Sequence, residues 1–98
     1  MRSVNGERAL RFRTSADAVA QRLGDEVVLV HIRTDRIFVL NRTGARVWEL
    51  LCESLDRPAI QDRLLAEFEV GEAELAAEID ALLTALTQEE LILPDDGT

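Results

Sequence analysis

The stretch FVLNRTGARVWELL, residues 38–51, decides the fold. Phe38, Val39 and Leu40 read as the end of a β-strand, because aromatic and branched side chains suit a pleated, half-buried surface. The run breaks at Asn41–Gly44, residue types that bend the chain or hydrogen-bond locally. It restarts with helical spacing at Val47, Trp48 and Leu51, around the chain's only tryptophan. An edge-like strand is therefore joined to a helix by the shortest of connections.

Working back from this junction, Ala18–Leu23 and Glu26–Ile32 flank the turn-forming pair Gly24-Asp25 and read as a hairpin. The run from Val27 to Ile32 is apolar and β-branched enough for a strand covered on both faces. Arg33–Asp35 turns the chain into a third strand, Arg36–Leu40. Residues 1–16 are polar and irregular apart from Leu10 and Phe12, and read as a loose arm.

Forward from the junction everything is helical. Thr43 is expected to accept from a backbone N–H at the start of the first helix, with Asn41 stabilising the preceding turn. That helix runs to about Ser54 and buries Val47, Trp48, Leu51 and Leu55. Asp56 caps the second helix, and Pro58 fits its first turn, where N–H groups lack intrahelical acceptors. Ile60, Leu64, Leu65 and Phe68 form its stripe. Gly71 interrupts, and Glu72 and Glu74 then suit the positive end of a third helix. Leu75, Ile79, Leu82, Leu83 and Leu86 are the strongest periodic signal in the chain. The fold class is α+β: a three-stranded antiparallel sheet followed by three helices, winged-helix-like, over residues 17–93, with an acidic tail at 94–98.

Ninety-eight residues make one domain, large enough for a modest core without metal or disulfide support. Nineteen acids against eleven arginines, with no lysine, leave a net charge of −8. Nucleic acids are bound by neutralising phosphates, so this balance disfavours a DNA-binding winged helix. No apolar run nears the ~20 residues of a membrane span. Met1–Gly6 has no signal-like segment, and the single cysteine forms no internal disulfide. These features predict a cytoplasmic protein.

Catalytic chemistry is hard to assemble. His31 and Cys52 are the only soft metal ligands, where zinc needs three or four. Ser15 and Ser54 lack a nucleophile-elbow context, and there is no glycine-rich phosphate loop. No metal, cofactor or catalytic residue is expected. Two features suit binding instead. A strand at a sheet edge has unpaired N–H and C=O groups that an incoming peptide can use; here that is Ile37, Phe38, Val39 and Leu40. On the third helix, opposite the leucine stripe, Ala73, Ala77, Asp80, Ala81 and Thr84 form a row of mostly small residues that lets another backbone approach, although alanine also serves helix propensity alone.

The segment VVLVHIRTDRIFVLNRTGARVWELL resembles the PqqD-like family, whose pattern is Leu-Asn-x-Thr-Gly-x-x-(aliphatic)-Trp-x-x-Leu. Leu40, Asn41, Thr43, Gly44, Val47, Trp48 and Leu51 fill it, and Glu78-Ile79 matches the acidic–aliphatic pair of the family's last helix. Two departures stand out: Glu90 replaces a glycine before the final Leu-Ile, and CESLDR lacks the glycine that follows the first helix. The resemblance implies a recognition element for ribosomally made, modified peptides. A precursor's leader would add as a strand beside residues 36–40 and pack against the third helix, with Ala73, Ala77, Glu78, Asp80, Ala81 and Thr84 as its other wall. Trp48 and its helix would brace the strand from behind. The implied partners are the leader peptide and a maturation enzyme, with the leader peptidase of a lasso-peptide pathway preferred. The alternatives are a chaperone for the pyrroloquinoline quinone precursor or another radical-enzyme pathway, a winged-helix nucleic-acid binder, and a structural subunit of a larger assembly.

Overall fold

A computed structural model of the chain describes residues 11–95. Along it run β1 (Phe12–Thr14), β2 (Ala18–Leu23), β3 (Glu26–His31), β4 (Arg36–Leu40), α1 (Arg42–Cys52), α2 (Arg57–Glu67), α3 (Glu72–Gln88) and β5 (Ile92–Pro94). β2, β3 and β4 form an antiparallel sheet in that order, and β1 pairs with β5 in a second, two-stranded sheet. The second sheet is not foreseen from the sequence. Three residues at each strand carry too little alternation to register, and the two lie some eighty positions apart. The N-terminal arm expected at 1–16 lies outside the described residues through Leu10, and its end forms β1. Residues 96–98 of the expected tail also lie outside them.

The register of the larger sheet sorts its side chains. Val27 opposite Leu40, and Leu29 opposite Phe38, face the helices; Val30 opposite Ile37, and Val28 opposite Val39, face away. Val27, Leu29 and Leu40 join a core with Val47, Trp48, Leu50, Ile60, Leu75 and Ile79. The helix α1 packs beneath β3 and β4, with α2 and α3 beyond it.

Local chemistry explains the helix boundaries. Asn41, not Thr43, is the N-cap of α1: its Oδ1 accepts from Gly44 N at 2.9 Å, and Thr43 already sits inside the helix. Asp56 caps α2 by accepting from Ala59 N at 3.0 Å. The helix α3 starts at Gly71 without a side-chain cap, and Glu72 and Glu74 lie in its first turn. The connection between β4 and α1 is one residue long because Gly44 allows close approach. A Cβ there would lie 3.3 Å from the Leu40 Cβ.

Candidate functional site

The sheet order leaves β4 as an edge. Which of its groups are open follows from one hydrogen bond: Ile32 N donates to Asp17 O at 2.9 Å, toward the β2 side. Backbone groups alternate sides along a strand, so Val28 and Val30 also address β2, whereas Val27, Leu29 and His31 address β4. Their partners Leu40, Phe38 and Arg36 bond within the sheet. Ile37 and Val39 direct N–H and C=O to the open edge.

The helix α3 flanks that edge. At the start of β4, Arg36 Nη2 donates to Glu89 Oε2 at 3.2 Å. Beyond its end lies a cavity of about 150 Å³ lined by Asn41, Thr43, Gly44 and Val47 on one side and by Glu78, Ile79 and Leu82 on the other. Edge, ion pair and cavity outline a groove with a hydrogen-bonding rail, an apolar floor and the Glu78 carboxylate on its rim.

The expected residues divide between faces. Ile37 and Val39 are exposed on the outer face, Phe38 is half-buried and Leu40 is core. Glu78 borders the groove. In the small-residue row, with 3.6 residues per turn, Ala77 and Ala81 lie on the side of α3 opposite Ile79, as the periodicity implies. They and Ala73 are exposed, and Ala81 lies one turn from Glu78 on the same flank of the helix. Asp80 and Thr84 border a different cavity, with Phe12, Leu83, Thr87 and Gln88. Asp80 also accepts from Arg57 Nε at 2.7 Å, which ties it to α2. The wall that sequence reasoning missed is Leu82. Its place in the leucine stripe marked it as core, yet it is only half-buried.

His31 is fully buried; its Nδ1 accepts from Arg33 N at 3.3 Å, while Nε2 has no hydrogen-bond partner among the described residues. Cys52 is exposed at the end of α1, and desolvation followed by Glu53 raises its thiol above the ordinary value. No group of three or more His, Cys, Asp or Glu that could hold a metal occurs among the described residues. None of the described helices is long and apolar enough to cross a membrane.

Comparison with known proteins bears on this geometry. The profile of the family described as coenzyme PQQ synthesis protein D (PqqD) matches residues 26–92, from the first residue of β3 into β5. The chain belongs to the PqqD family. Two solved structures share the PqqD fold seen here. One, TbiB1 in complex with the TbiA(beta) leader peptide, is 34% identical, with a TM-score of 0.76 over 82% of this chain and 93% of that one. The other, lasso peptide synthetase B1 complexed with the leader peptide, is 25% identical, with a TM-score of 0.76 over 85% of this chain and 98% of that one. Among curated protein sequences there is no significant match.

Proposed function

We propose that this chain binds the leader segment of a ribosomally made precursor peptide and delivers it, without catalysis of its own, to the leader peptidase of a lasso-peptide pathway in the cytoplasm. The observation that carries the reading is the open edge of β4 beside the cavity of Asn41, Val47, Glu78 and Leu82. An added strand sits about 4.8 Å from its neighbour and draws affinity from backbone hydrogen bonds, with side-chain pockets giving specificity. The leader-bound state of two similar PqqD-fold proteins supports the same use of the fold. The lasso-peptide assignment rests on those relatives; the precursor of pyrroloquinoline quinone is the alternative, on the family description.

Delivery needs a second contact, and the outer face of the sheet offers one. Val19, Val30 and Ile37 form one cross-strand row; Gln21, Val28 and Val39 form the next. Val19, Ile37 and Val39 are each more than half exposed. Contiguous exposed apolar surface marks interaction sites. This face is continuous with the leader edge through Ile37 and Val39, so an enzyme seated on it would touch the bound leader. A nucleic-acid role finds little support, because Arg11, Arg22, Arg33, Arg36, Arg46 and Arg57 are each paired with acids.

Fluorescence anisotropy with a labelled synthetic leader, taken from the precursor encoded beside this chain, tests the reading. Saturable binding with one leader per chain is expected. Absence of binding at protein concentrations of about 100 μM, far above those of specific peptide complexes, would overturn it.

A further inference from the structure

Asn41 holds α1 with only half of its side chain. Its Oδ1 accepts from Gly44 N at 2.9 Å, and this fixes the amide orientation. The two N–H groups of Nδ2 therefore point away from the helix, and they make no hydrogen bond among the described residues. Asn41, an exposed residue, borders the cavity shared with Thr43, Val47, Glu78 and Leu82. Capping alone does not call for asparagine, because aspartate and serine cap about equally well. What asparagine adds is a pair of donors beside the capping oxygen.

The backbone indicates where those donors are needed. Val39 is the last residue of β4 whose C=O faces the open edge. The next in that alternation is Asn41 itself, and its C=O already accepts from Ala45 N at 2.7 Å. The regular rail therefore ends there, and a peptide leaving the edge must find other partners for its polar groups or bury them unpaired. On the facing wall Glu78, when ionised, only accepts.

We infer that Asn41 is a leader-binding residue of the groove: Nδ2 donates to a backbone carbonyl of the bound peptide where the peptide passes the end of β4, while Oδ1 continues to cap α1. This rests on the reading of the groove as the leader site. One side chain thereby couples the start of α1 to the occupied groove.

The two roles separate by substitution. Asn41→Asp and Asn41→Ser keep a capping oxygen and remove the amide donors; the serine is the uncharged control for an added carboxylate near Glu78. The probe is the labelled synthetic leader described above, with thermal melts alongside and the Asn41 side-chain amide resonances followed by NMR. The expected result is a midpoint within about 2 °C of the parent for at least one variant, leader affinity weakened about five- to tenfold, as for one neutral hydrogen bond, and parent side-chain amide signals that shift as leader is added. A purely capping role would leave the affinity of a folded variant at the parent's value. If the parent binds leader while both folded variants bind within about twofold of it, or the amide signals stay in place, the inference is overturned and the groove stands. If the parent itself binds no leader, the groove reading fails and takes this inference with it.

Discussion

Ser54 and Glu90 occupy the same place in two copies of one motif. Each is the first residue beyond a helix cap, with φ of 67° and 61° respectively. After α1, Ser54 N donates to Leu51 O and Leu55 N to Leu50 O; after α3, Glu90 N donates to Thr87 O and Leu91 N to Leu86 O. These paired bonds are the Schellman arrangement, whose left-handed residue is usually glycine. Both turns therefore persist although this chain lacks the two glycines of the family pattern. A side chain in the left-handed region costs roughly 1–2 kcal/mol, offset in part by the greater chain entropy of glycine. Ser54→Gly and Glu90→Gly should each raise stability by about 0.5–1 kcal/mol, or roughly 2–6 °C in midpoint. Glu90→Gly also removes the ion pair with Arg33, which spans 3.6 Å between exposed groups and weighs little. Thermal melts of both variants check this, and a lowered midpoint would contradict it.

Proline separates the two sides of β4. At Ile37 or Val39 it removes an N–H that faces the open edge; at Phe38 or Leu40 it removes one that bonds to β3. The first pair should stay folded and lose about tenfold or more in leader affinity, as expected when a charge-free ladder bond and its register are lost together. The second pair should lose the cooperative melt. Circular dichroism and anisotropy measured on the same samples distinguish the two patterns.

Bulk on α3 tests which face bounds the groove. Leu82→Trp fills the cavity lined by Val47 and Glu78 and should abolish measurable leader binding with a stability cost of a few kcal/mol at most, the range for overpacking. Ala77→Trp, about 140° round the helix from Leu82, should leave affinity unchanged. Blocked binding in that variant would extend the groove to the small-residue row.

The order of strands and helices was legible because each long element declares its own period: β-branched residues at Val27–Val30, and leucines three and four apart from Leu75 to Leu86. The edge position of Ile37–Leu40 was also readable, since no later strand exists to cover it within the larger sheet. Two kinds of information were not local. The pairing of Phe12–Thr14 with Ile92–Pro94 depends on tertiary contact between opposite ends of the described chain. The facing of α3 depends on how the helix is rolled against β4. Periodicity separates Ala77 from Ile79 but does not say that Glu78 and Leu82, one turn of flank away, look toward the sheet. The half-exposed position of Leu82 in an otherwise buried stripe was the missed signal.

Acid should release one clamp between helices. Arg46 donates from Nε and Nη2 to both oxygens of Glu67 at 2.8 Å, joining α1 to the end of α2. Its hydrogen bond holds the Glu67 carboxyl below the usual carboxylate value, against some desolvation. A depressed folded value means that the stabilisation is fully present above the ordinary carboxylate range and is lost as pH falls through the folded value. Glu67→Gln should therefore lower stability at pH 7, by no more than about 1 kcal/mol for a pair at the surface, and the difference from the parent should vanish once the pH is below the folded value. A difference that stays constant as the pH falls would show that the clamp acts through packing.

Delivery and binding should come apart on the outer face of the sheet. Val19 and Val30 lie side by side there, away from the backbone edge that the leader would use. Val19→Glu places a charge on that face at a position already 51% exposed, so the fold should tolerate it, typically within about 0.5 kcal/mol. Leader affinity should be unchanged, because neither the rail of Ile37 and Val39 nor the cavity at Leu82 is touched. Stimulation of leader removal by the pathway's peptidase should fall sharply, since tethering raises effective concentration only when both contacts can form at once. Replacing His31 by glutamine and Cys52 by serine should leave stimulation standing in any variant that still folds and binds leader. If that double variant lost all stimulation, the chain would be contributing chemistry and not delivery. If Val19→Glu kept full stimulation, the enzyme would have to dock elsewhere.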